Sequence, residues 1–215
     1  MNDDATLRRQ LVETAQSMSV RGLSPQRSGN VSVRSHDGFL VTPTGIAYAD
    51  YLQADMVQVS MQGVASGDQR KPSSEAPFHL AIYAAFPDAQ AIVHCHSMAA
   101  TALACARMEI PAFHYMVAVA GGSRIPLADY ATFGTDQLAA NAVSALSGGY
   151  KACLLANHGQ IAFAGNLGKA LELAAEVETL ARQYIDVLGL GGDHVLDDGE
   201  MDRVIAKFKS YGKQA

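Results

Sequence analysis

Cysteine is scarce. Cys95, Cys105 and Cys153 are the whole supply in 215 residues, an odd number with no short paired spacing, which argues against a disulfide framework and against a Cys-rich zinc knuckle. Small slots in a core are their expected places. Basic excess is also missing: 16 Lys plus Arg face 21 Asp plus Glu, for a formal net charge of -5. A general polyanion binder carries a positive surplus, so no nucleic acid partner is expected. Long apolar runs are absent, since polar or glycine residues interrupt each stretch, and no membrane partner is expected. The start Met1-Asn2-Asp3-Asp4 has neither the basic region nor the apolar segment of a signal peptide, so a cytoplasmic location is expected. Nucleotide signatures are absent too, with no GxxxxGK[ST] run and no GxGxxG turn.

What the chain does have is 49% apolar against 17% charged residues, the balance of a folded domain rather than a disordered chain. The length suits one domain, 1-215, with a substantial core. Leu7, Leu11, Ala15 and Met18 recur at helical spacing until Gly22 and Pro25 end the pattern. Val31 and Val33, then Phe39 and Val41, flank Ser35-His36-Asp37-Gly38 and predict a hairpin, with Asp-Gly as its turn signal. A strand is expected at 56–59 and a helix after Ser73-Ser74-Glu75, with Phe78, Ile82 and Ala85 on its stripe and Pro77 tolerated in its first turn. An inner strand follows at 91–96, then a helix over 98–106 capped by Ser97. Further expectations are a strand at 112–114, a glycine turn at Gly121-Gly122, a helix over 136–146 and strands at 152–157 and 160–164 around His158-Gly159. A long helix over 167–188 and a terminal amphipathic helix with Met201, Val204, Ile205 and Phe208 complete one α/β domain.

His94 and His96 stand two positions apart, so on a strand both imidazoles leave one face while Cys95 leaves the other. Neutral imidazoles suit Zn2+, which takes three protein ligands and an open position in a catalytic site. His158, beside Gly159 and between apolar strands, is the best third ligand, with His36, His79, His114 and His194 as competitors. Ser73-Ser74-Glu75 reads in two ways: a helix cap, or hydroxyls and free N–H groups that hold a phosphate while Glu75 projects into a reaction site and moves a proton beside a carbonyl. Gly29-Asn30 and Thr44-Gly45 are further phosphate candidates at strand ends. Tyr115 and Tyr211 can donate a proton to a developing alkoxide, and Phe133 and Phe208 can line the apolar side of a substrate pocket or simply pack.

The ordered set Ser28-Gly29-Asn30-Val31-Ser32-Val33-Arg34, Thr42-Pro43-Thr44-Gly45-Ile46, Pro72-Ser73-Ser74-Glu75 and Val93-His94-Cys95-His96 resembles the class II aldolase/adducin family. The likeness continues through 110–116, 130–135 and Asn157-His158-Gly159, and so runs over nearly the whole chain. It implies a three-layer α/β/α fold around a predominantly antiparallel central sheet, and a cyclic homotetramer with sites near subunit boundaries. It also implies Zn2+ on His94, His96 and His158, with Glu75 as the acid/base that closes the metal's fourth side at rest. Gly29, Asn30, Thr44, Gly45, Ser73 and Ser74 fall where the family holds the substrate phosphate. Tyr115, serving a neighbouring subunit, and Tyr211 match aromatics around the aldehyde-derived half, and the 207–212 stretch closes a pocket. The implied reaction is retro-aldol cleavage of a ketose 1-phosphate to dihydroxyacetone phosphate and a short aldehyde. L-Fuculose, 5-deoxypentulose and methylthioribulose phosphates are all candidate substrates. The same resemblance keeps open a 3-oxo-tetronate 4-phosphate decarboxylase, a methylthioribulose-1-phosphate dehydratase and a non-enzymatic adducin-like interaction domain.

Overall fold

The computed structural model describes residues 3–67, 70–192 and 194–208. Six helices run α1 (Asp4–Val20), α2 (Ala76–Ala85), α3 (Met98–Cys105), α4 (Asp136–Leu146), α5 (Leu167–Gly189) and α6 (Asp198–Phe208), and the strands are β1 (Asn30–Ser35), β2 (Gly38–Val41), β3 (Val57–Ser60), β4 (Ala91–Cys95), β5 (Leu127–Ala128), β6 (Ala152–Leu155) and β7 (Gly159–Ala164). The strands form one sheet in the order β3-β2-β1-β4-β7-β6-β5. Every pairing is antiparallel except that of β5 with β6. This is the expected three-layer α/β/α arrangement.

Strand alternation sorts the core into two sides. Val31 and Val33 of β1, Ala91, Val93 and Cys95 of β4, and Ala152 and Leu154 of β6 pack with α1, α3 and α5. Phe39 and Val41 of β2, Ile92 of β4, and Cys153 and Leu155 of β6 pack with α2 and α4 on the opposite face. His94 shares the parity of Ile92, and Asn30 and Ser32 take the alternate positions of β1, so all three turn toward α2. The register sets Asn30 opposite His94. A polar seam therefore runs between the centre of the sheet and α2, inside an otherwise apolar layer.

Several local expectations need correction. Residues 112–114 are not a strand: Phe113 N–H bonds back to Pro111 C=O, and His114 Nδ1 accepts Met116 N–H to open a 3-10 turn over Tyr115–Ala120. Only Ile110 pairs in an extended way, with Ile125. Ser97 does not cap α3. Its hydroxyl accepts Gln160 Nε2, and the Glu178 carboxylate of α5 takes the free N–H groups of Ala99 and Ala100 instead. Cys95 and Cys153 are core residues as expected, whereas Cys105 is exposed. Among the described residues, no helix is long and apolar enough to cross a membrane.

Candidate metal centre and phosphate pocket

His94 sits on β4, His96 just beyond its end, and His158 in the tight β6–β7 turn, where His158 N–H bonds to Leu155 C=O. Asn157 takes φ 52° there, a left-handed conformation that asparagine tolerates better than most residues. The rings of the three histidines are mutually near perpendicular (73–86°), with centroids 4.8–4.9 Å apart. Their ligand atoms and one carboxylate oxygen of Glu75 all lie within 4.8 Å of one another. His94 Nε2 is 3.1 Å from His96 Nε2, Glu75 Oε2 is 3.1 Å from His94 Nε2, and Glu75 Oε1 is 3.0 Å from His158 Nε2.

The donor set fits a divalent ion. A tetrahedral ion at about 2.0–2.1 Å from imidazole nitrogens holds them roughly 3.3 Å apart, close to the separation of His94 and His96. His94 Nδ1 lies 2.9 Å from the Gln160 carbonyl. A carbonyl only accepts, so Nδ1 carries a hydrogen and Nε2 is the atom turned toward the cluster. Burial first, then the neighbouring His94 and His158, pushes His96 down to about 3, favouring the neutral imidazole that ligates. Burial alone would raise the Glu75 carboxyl, but His94 and His158 outweigh it and hold the group well below the usual carboxylate range. Glu75 Oε1 is buried without a hydrogen-bond partner among the described residues, an arrangement that an ion at this point would satisfy. The thiols of Cys95 and Cys153, pushed up to about 12 by burial, stay protonated in the core.

Of the competing histidines, none joins the cluster. His36 pairs with Asp37 on the exposed hairpin turn, His114 caps its own turn, and His194 is exposed. His79 is fully buried on α2 behind Asn30.

A cavity of about 450 Å3 opens onto Glu75, His96 and His158, and all six proposed phosphate residues line it: Gly29, Asn30, Thr44, Gly45, Ser73 and Ser74. Their roles differ. Ser73 Oγ accepts Glu75 N–H at the mouth of α2, and Glu75 makes no cap with its side chain, which leaves that carboxylate for the cluster. Gly29 is pinned by a residue that pattern reading missed: Tyr48 Oη donates to Gly29 C=O at 2.7 Å and accepts Gly29 N–H at 2.9 Å. The Gly29 amide is thus committed. Arg27, also missed, lines the same cavity with φ 67°, and it brings positive charge beside the serine and threonine hydroxyls.

Phe133 lines the cavity, together with Tyr130. Tyr115 and Phe208 do not; they line a separate groove beside α6, with ring centroids 6.5 Å apart, and Tyr115 is half exposed. Tyr211 lies outside the described residues.

The fold and this centre define an α/β/α protein in which three imidazoles and one carboxylate meet at a cavity lined by serine and threonine hydroxyls. Residues 9–185 match the family model "Class II Aldolase and Adducin N-terminal domain", and the chain belongs to that family. It is 47% identical over 209 residues to a 5-methylthioribulose-1-phosphate/5-deoxyribulose-1-phosphate aldolase of Rhodospirillum rubrum, covering 97% of this chain and 94% of that protein. It is 46% identical over 207 residues to an L-fuculose phosphate aldolase of Escherichia coli, with 96% and 95% covered. A solved structure of an L-fuculose 1-phosphate aldolase superposes with a TM-score of 0.91 at 38% identity, covering 95% of this chain and 96% of that one.

Proposed function

We propose that the protein is a zinc-dependent aldolase that cleaves a ketose 1-phosphate reversibly to dihydroxyacetone phosphate and a short aldehyde. The observation that carries this reading is one cavity lined both by members of the Glu75–imidazole cluster and by serine and threonine hydroxyls. A small phosphoketose can engage both sets of groups at once. The names of the relatives differ in the sugar but share a ketose 1-phosphate, which is the part these residues address.

The bound ion supplies positive charge against the negative charge left by C–C cleavage. Ser73, Ser74, Asn30, Thr44 and the Gly45 backbone hold the phosphate, while Gly29 provides room for close approach and Phe133 covers the cavity mouth. In cleavage the C3–C4 bond breaks, its electron pair stays with the phosphate-bearing half, and the C4 hydroxyl gives up its proton as the aldehyde forms. Tyr115 of a neighbouring subunit handles that proton, with Tyr211 and Phe208 of the chain terminus around the aldehyde half. Glu75 delivers one proton to C3, so one proton leaves and one arrives. This assignment carries a homotetramer with sites at subunit boundaries, since Tyr115 lies outside its own chain's cavity.

A product-resolved assay over a panel of phosphoketoses, with zinc-loaded and chelator-treated protein, tests the reading. The expected result is dihydroxyacetone phosphate plus an aldehyde, lost on chelation and restored by zinc. Glu75→Gln should retain much of its zinc and lose about 100- to 10,000-fold in kcat. Carbon dioxide as product, dehydration without C–C cleavage, or full activity after complete metal removal would each overturn it.

A further inference from the structure

Behind Glu75, buried polar groups run in single file from the site into the α2 layer. Asn30 Nδ2 lies 2.9 Å from Glu75 Oε2. Asn30 Oδ1 lies 2.6 Å from His79 Nε2. His79 Nδ1 is 2.7 Å from Ser32 Oγ, and Ser32 Oγ is 2.8 Å from Tyr83 Oη. Asn30 is 5% exposed, Ser32 and His79 are 0% and Tyr83 is 2%, so solvent does not compete for any of these bonds. The row follows from two periodicities: His79 and Tyr83 are spaced by four on one face of α2, with Glu75 a further four back at its N-cap, and Asn30 and Ser32 are spaced by two on the facing side of β1.

The direction of every bond is forced from one end. An ionised carboxylate only accepts, so Asn30 must present its NH2 to Glu75 and its oxygen to His79. That oxygen only accepts, so His79 Nε2 carries the hydrogen. Burial pushes His79 down to about 3, so the ring is neutral and Nδ1 is bare. The bare Nδ1 takes the Ser32 hydroxyl hydrogen, and Ser32 oxygen takes that of Tyr83. Each group donates toward Glu75, and no member has a second arrangement that avoids facing two acceptors.

We propose that His79 is a positioning residue for Glu75: it locks the Asn30 amide in the orientation that holds Oε2, and so keeps Oε1 turned to the histidine cluster, where it can exchange a proton with substrate. This rests on the acid/base reading of Glu75. The row requires the hydrogen on Nε2, and what separates a positioning role from a purely structural one is a fall in kcat at unchanged KM and zinc content. The positioning role also explains a double duty of Asn30, whose amide joins the phosphate end of the cavity to the carboxylate.

The first test uses metal-free protein with 15N-labelled histidine, His79 being assigned by its disappearance in His79→Gln. The expected spectrum shows a neutral ring protonated on Nε2. The Nδ1–H tautomer would reverse the row and overturn the proposal, whatever the enzyme's activity. The second test uses zinc-loaded enzyme with the metal content measured. His79→Leu should lower kcat about 10- to 100-fold with KM and zinc stoichiometry near wild type. His79→Gln, which keeps an N–H at the ε position, should recover most of that loss. Should His79→Leu fail to fold, His79→Phe, whose ring fills the same space without an N–H, takes its place with the same expected fall in kcat. A folded His79→Leu or His79→Phe with wild-type kcat would overturn the proposal. Full activity in Glu75→Gln would instead remove the acid/base reading on which it rests.

Discussion

Two glycines flank the strand that carries His94, and neither leaves room for a methyl group. A Cβ on Gly29 would stand 2.6 Å from the His94 carbonyl oxygen, and one on Gly159 would stand 2.5 Å from the Cys95 carbonyl oxygen and 2.9 Å from His96 Cδ2. Their value is close approach, since these obstacles are mostly backbone and cannot rotate away. At Gly159 the consequence reaches the histidine cluster directly, because β7 begins there and His158 is the preceding residue. Gly159→Ala must push the start of β7 off β4 and separate His158 from His94 and His96. The expected outcome is a loss of about 1–3 kcal/mol in urea unfolding and a zinc stoichiometry well below wild type. Wild-type stability with full zinc would show that the strands have slack that this geometry denies them.

At the scale of elements, what was legible followed from short-range pattern. The 3.6 and 2.0 periods gave α1, α2, α4, α5 and the β1–β2 hairpin close to their observed bounds, and the alternation around Cys95 placed His94 and His96 on one face. The missing pieces are set by distant partners. β5 is two residues long and exists because Leu127 and Ala128 pair beside β6. The Tyr48 clasp on Gly29 and the His79–Asn30 contact join residues 19 and 49 positions apart, beyond the reach of local spacing. The start of α3 is a similar case. Ser97 has the composition of a cap, yet its hydroxyl serves Gln160, and the first-turn amides are instead held by Glu178 from α5 at 2.8–3.1 Å. A carboxylate there answers both the free N–H groups and the positive end of the helix. Glu178→Ala should therefore cost about 1–2 kcal/mol, read as a lower urea midpoint at unchanged m-value. Unchanged stability would mean that water replaces the carboxylate without loss and that α3 is held by packing alone.

For the whole molecule, the distribution of aromatic side chains matters more than any one contact. Tyr130 and Phe133 stand 54% and 65% exposed at the cavity, while Tyr115 stands 50% exposed in the groove beside α6. One chain thus presents half of the proposed chemistry at each of two separate surfaces, an arrangement suited to a ring in which each subunit completes its neighbour's site. Mixtures of variants make this quantitative. Glu75→Gln and Tyr115→Phe chains are each deficient alone. If Tyr115 acts across the boundary, a site built from the Glu75 of a Tyr115→Phe chain and the Tyr115 of a Glu75→Gln chain is intact. Random assembly of equal amounts gives roughly a quarter of such sites. Co-refolding the two variants should therefore restore about a quarter of wild-type kcat, with the assembly size confirmed by light scattering. If Tyr115 acted within its own chain, every mixed site would carry a defect, and activity would stay at the average of the two variants.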